Sequence, residues 1–74
     1  RLHLDPGESM ENHINEWRNV VFVLRGNASL DVEGTKYELE EEQSIAVQGG
    51  RKRFWTNKGG RPLELLAIKT KEQG

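Results

Sequence analysis

The chain has 74 residues, 34% of them hydrophobic and 31% charged, with a formal net charge of -1. One domain is all that such a length accommodates, and a chain this short buries only about 60% of its unfolded surface, so it needs help to stay folded. It has no cysteine, which excludes disulfides and thiolate metal sites and leaves a non-thiol metal, a partner subunit or tight packing of a small core.

Other classes fall away on similar grounds. No apolar run approaches the roughly 18 residues that a membrane-spanning helix needs, and no secretory signal is visible. The near-neutral charge argues against a general nucleic-acid or membrane binder. A cytoplasmic protein is the expectation. The first residue, Arg1, leaves room for a preceding segment.

In chain order, Arg1 to Asp5 alternates apolar and polar, the period of a half-buried strand with Leu2 and Leu4 on one face and His3 on the other. Pro6-Gly7 ends it. Glu8 to Asn12 is polar and reads as irregular, and Asn12 to Glu16 as a short strand with His13 and Asn15 on one face. Trp17-Arg18 falls in the following loop, packed over a barrel mouth or touching a ligand. Val20 to Leu24 is apolar without alternation, which predicts burial on both faces, one against the core and one against a partner subunit.

Arg25-Gly26-Asn27 is a turn. Ala28 to Val32 alternates with Leu30 and Val32 toward the core, Glu33-Gly34 signals a hairpin, and Thr35 to Leu39 returns. Glu40-Glu41-Glu42 reads as a solvated turn and Ser44 to Val47 as a short buried strand, broken by Gly49-Gly50. Arg51 to Thr56 puts Arg53 and Trp55 on one face and Phe54 on the other. Asn57 to Gly60 is a loose turn. Pro62 to Ile68 is the last strand, and residues 69–74 are expected to fray. About eight short antiparallel strands and no helix describe a single all-β domain over residues 1–74, a sandwich or barrel.

Two stretches resemble the motifs of the cupin superfamily, small double-stranded β-helix (jelly-roll) barrels. Its first motif is Gly, five residues, His, one residue, His, three or four residues, Glu, six residues, Gly. Gly7, His13 and Gly26 match, with Asn15 at the second His and Asn19 at the Glu. In the second motif Gly50 and Asn57 match, while Glu42 stands at the first Gly, Gln48 at the Pro and Arg53 at the His. The resemblance implies a cupin-like barrel, and in a typical cupin two His, a Glu and a third His converge on one divalent metal.

Of those four implied ligands only His13 is kept. Asparagine offers a neutral amide oxygen, and a guanidinium has no lone pair and repels a dication. The expectation is therefore no metal and no other cofactor, with His13 (beside Glu11 or Glu16) as a weak metal candidate. A fixed cation inside a barrel instead holds a carboxylate or phosphate through bidentate hydrogen bonds. His13, Asn15, Asn19, Arg53 and Trp55 are accordingly expected to line a pocket for a small anionic or hydroxyl-rich molecule, in a binding or sensing domain rather than an enzyme. Against this stands the plainer expectation that Arg53 pairs internally and fills the barrel.

Two enzymatic alternatives stay open. One is a metal-dependent oxygenase or isomerase with an unusual site, and the other a metal-free isomerase using His13 for acid–base work. A purely structural module is a third reading. The serines show no base–orienter partners, and no catalytic residue is assigned. Arg51, Lys52 and Arg53 beside Phe54 and Trp55 make too small a basic patch, offset by Glu40 to Glu42, for a nucleic-acid site. The expected partners are a small-molecule ligand and a second copy in a homodimer, with no nucleic acid and no membrane.

Overall fold

The computed structural model describes residues 1–12 and 17–71. His13, Asn15 and Glu16 lie outside the described residues. Eight strands follow in chain order among them: β1 (Leu2–Leu4), β2 (Ser9–Asn12), β3 (Trp17–Arg25), β4 (Ala28–Val32), β5 (Thr35–Leu39), β6 (Ser44–Val47), β7 (Arg53–Thr56) and β8 (Leu63–Lys71). They form two four-stranded antiparallel sheets, ordered β1-β8-β3-β6 and β2-β7-β4-β5. The described residues contain no helix, so none is long and apolar enough to cross a membrane.

The two sheets bury their facing sides against each other. Period-2 alternation sends Leu4, Val21, Val23, Val47, Leu63 and Leu65 inward from the first sheet. From the second come Ala28, Leu30, Val32, Leu39 and Trp55, completing one continuous core, with Met10 and Ile45 packed at its margin. Leu30 and Val32 face the core as their alternation predicts.

Turn chemistry fixes the corners. Glu33 (φ 49°) and Gly34 (φ 94°) both have positive φ, the pattern of a type I′ hairpin between β4 and β5. Gly26 (φ 87°) closes the β3–β4 corner, where a Cβ would stand 2.6 Å from the Pro62 carbonyl oxygen. Its amide donates to Glu41 Oε1 at 3.0 Å, and Arg61 Nη2 donates to the same oxygen at 3.1 Å. The acidic run is thus not merely a solvated turn: Glu41 joins three loops.

Several boundaries differ from expectation. β3 begins at Trp17, so Trp17-Arg18 is strand rather than loop. β8 continues to Lys71, so residues 69–71 are not frayed; Asn19 pairs with Lys69, Arg18 with Thr70 and Trp17 with Lys71. Backbone pairing carries this polar extension of both strands. Within the single chain one face of Val20 to Leu24 is buried, through Val21 and Val23, while on the other Val20 and Phe22 are half-buried and Leu24 is exposed.

Candidate functional site

Arg53 opens β7 and Asn12 closes β2, and the two are paired. Arg53 also pairs with Val32, the last residue of β4, and Asn19, near the start of β3, pairs with Val47, the last of β6. The register therefore gathers Asn19 and Arg53 at one end of the sandwich, where β2 leaves its sheet and β3 enters the other.

Arg53 is 1% exposed. Its Nη2 donates to the Gln48 carbonyl oxygen at 2.7 Å and approaches that of Val47 at 3.5 Å. A guanidinium taken out of water needs such acceptors, since an unpaired buried charge is strongly unfavourable. The side chain thus bridges the start of β7 and the end of β6. Asn19 is also buried. Trp55, two residues on, shares the inward face, but it sits fully inside the core cluster and is not the wall of an open pocket. Its indole Nε1–H is buried and has no acceptor among the described residues.

At the opposite end, Asn57 is fully buried. Its Nδ2 donates to the carbonyl oxygens of Leu4 (3.0 Å) and Arg61 (2.8 Å), and its Oδ1 accepts from the Gly59 amide at 3.0 Å. The Gly7 amide donates to the Asn57 carbonyl at 2.9 Å, and the Asn57 amide donates to the Glu8 carbonyl at 3.0 Å. The turn read from sequence as loose is a five-bond clasp.

The motif spacing is also visible in the backbone. Glu42, which stands where the second motif carries its first glycine, has φ 72°, and Gly50 has φ 77°. Glu42 thus holds a left-handed conformation at a position where the motif carries glycine.

A cupin domain family model matches residues 1–69. The chain belongs to the cupin family. Solved structures agree in fold. The cupin domain of an XRE-family transcriptional regulator from Enterobacter cloacae superposes with TM-score 0.85 at 20% identity, covering 96% of this chain and 77% of that one. A predicted oxalate decarboxylase from Thermotoga maritima gives TM-score 0.80 at 20% identity, with 90% and 59% covered. The CENP-C cupin domain of Drosophila melanogaster gives 0.82 at 13% identity, with 92% and 56% covered. This cupin domain thus spans between 56% and 77% of the length of these three relatives. Comparison with curated proteins gives no match.

The cupin metal can now be set against the residues present. By the motif resemblance Asn19 and Arg53 correspond to two of the four ligand positions, and Arg53 is a buried cation whose Nη2 already donates to main-chain oxygens. Arg53 has no lone pair to give, and its charge opposes a second cation nearby. The described donor set does not fit the family's metal.

Proposed function

We propose that this cupin domain binds a small anionic or hydroxyl-rich molecule without a metal, as a sensing or binding module. One observation carries the reading: a buried guanidinium, Arg53, stands on the inward face of β7, at the end of the sandwich that also holds the buried Asn19. Such a fork holds a carboxylate or phosphate through bidentate, charge-assisted hydrogen bonds, which selects an anion. The relative from a transcriptional regulator is a domain of this fold in a regulatory protein, which is compatible with sensing.

The test uses Trp17→Phe protein, in which Trp55 is the one remaining indole, and a panel of oxalate, inorganic phosphate and gluconate. Binding is read from Trp55 fluorescence and from the rise in melting temperature. The expected result is saturable binding by at least one probe, lost in Arg53→Met and weakened in Arg53→Lys, which keeps charge but not the planar fork. Equal responses of wild-type and Arg53→Met protein, or no response to any probe, would overturn the proposal. Probe turnover requiring an added divalent metal would favour the metal-dependent oxygenase or isomerase reading. Metal-free turnover lost in His13→Ala would favour the isomerase reading.

A further inference from the structure

Two rows of paired side chains cross the outer face of the β2-β7-β4-β5 sheet. One runs Ser9, Thr56, Ser29, Glu38 and the other Glu11, Phe54, Asp31, Lys36. All are polar except Phe54, whose ring is 43% exposed. Alternation puts it there, because Arg53 and Trp55 take the inward side of β7. An aromatic ring on an otherwise wetted face is a ready apolar contact for a polar ligand.

Beside the ring lies a cleft of about 250 Å³, whose lining includes Ser29, Asp31, Lys36, Phe54, Thr56 and Lys58. It is smaller than the roughly 300–1,000 Å³ of a pocket for a drug-sized molecule, so it suits one ring-sized residue. Its polar groups are held in place. Ser29, buried on this face, donates its Oγ–H to Glu38 Oε2 at 2.6 Å, and Asp31 Oδ1 accepts from the Gly34 amide at 2.8 Å. The Ser29 oxygen and Asp31 Oδ2 keep lone pairs for a further donor. Among the described residues neither Lys36 nor Lys58 makes an ion pair. Asp31 faces Lys36 across the strands and offsets it, which leaves Lys58 as the uncompensated cation of the cleft.

We infer that this cleft is a second binding site, outside the barrel, for an acidic sugar residue of the hexuronate class. A pyranose presents a face of C–H groups to Phe54, hydroxyls to Ser29, Asp31 and Thr56, and one carboxylate to Lys58. A ring flanked by lysines also matches the chemistry of a single-stranded nucleic acid. Glu11, Asp31 and Glu38 on the same face oppose that ligand: carboxylates repel a run of phosphates but accept from hydroxyls. Arg53 lies on the other side of β7, so the inference does not rest on the anion reading of the barrel interior.

The experiment is an amide ¹H–¹⁵N NMR titration of the 74-residue chain with methyl β-D-glucuronide, methyl β-D-glucoside and octathymidylate. The glucuronide is expected to give saturable shifts at Ser29, Asp31, Phe54, Thr56 and Lys58. The glucoside is expected to bind the same amides about two- to fivefold more weakly, the range of an exposed ion pair. Phe54→Thr, which keeps a strand-favouring residue, should weaken both sugars at least about tenfold. Lys58→Gln should remove the preference for the glucuronide and leave the glucoside unchanged. No saturable shift, equal affinity for the two sugars, or tighter binding of octathymidylate at these amides would overturn the inference. So would glucuronide shifts gathered instead at Asn19, Val47 and Gln48, the Arg53 end of the sandwich. Lys58 lies on a surface turn, so its comparison stands even if Phe54→Thr fails to fold.

Discussion

Asn57 shows what a single polar side chain does in a small core. Both of its amide hydrogens and its oxygen are used within the β7–β8 turn and the end of β1. Asn57→Ala removes three hydrogen bonds and leaves two main-chain carbonyls short of a donor, an expected loss of about 2–4 kcal/mol. A 74-residue domain holds about 4–11 kcal/mol in all, so urea denaturation should show a large fall in midpoint. Asn57→Asp should be worse at neutral pH, because a carboxylate then faces two carbonyl oxygens. If Asn57→Ala moved the midpoint no more than an exposed substitution such as Lys58→Ala, the clasp would have no energetic weight. Asn57 was legible in sequence as a motif match, but its burial was not: Asn-Lys-Gly-Gly has the composition of any exposed turn. Arg53 was legible as an odd cation at a ligand position, and the structure adds its burial and its main-chain acceptors. That the indole N–H of Trp55 has no acceptor among the described residues leaves no signature in composition, since it depends on which acceptors the opposing strands bring.

Strands follow the apolar rhythm where that rhythm exists. Ala28 to Val32 and Thr35 to Leu39 appear with the boundaries that alternation sets, and the first strand, read over Arg1 to Asp5, is one residue shorter at each end. The polar ends escape it. Trp17-Arg18-Asn19 and Lys69-Thr70-Lys71 pair through their backbones, and a ladder of main-chain bonds leaves no hydrophobic trace in sequence. The β4–β5 hairpin gives this scale its prediction. A type I′ turn needs positive φ at both central residues, and Glu33 holds φ 49° with a side chain poorly suited to it. Glu33→Asn is expected to raise stability by about 0.5–1 kcal/mol, since asparagine tolerates the left-handed region. The variant loses the ion pair between Arg51 Nη1 and Glu33 Oε1 at 3.0 Å, but both side chains are about half exposed and such pairs contribute little. A lower melting temperature for Glu33→Asn would mean that the ion pair outweighs the turn.

Taken whole, the molecule joins two sheets through loops, and a carboxylate at the loop junction makes its stability depend on pH. Glu41 is held below its ordinary value of 4.5, first by the hydrogen bond from the Gly26 amide and then by the charges of Arg61 and Arg25, against some desolvation. A depressed carboxylate stabilises the fold above its unfolded pKa, and that contribution is lost as pH falls through the lower folded value. Lys52 is displaced upward from 10.5, first by its hydrogen bond to Glu11 and then by that residue's charge, so its contribution holds below 10.5 and is lost as pH rises through the higher folded value. Between these limits neither group adds a slope. Both groups are exposed, so salt screens the charge component of each limb. Glu41→Gln keeps an oxygen for the Gly26 amide but removes the charge that Arg61 and Arg25 act on. Its melting temperature should be lower than wild type at neutral pH, and the two curves should converge as the pH is taken down through 4.5. Added salt should narrow the neutral-pH gap. Parallel curves over the whole acid range would place the acid sensitivity on carboxylates other than Glu41.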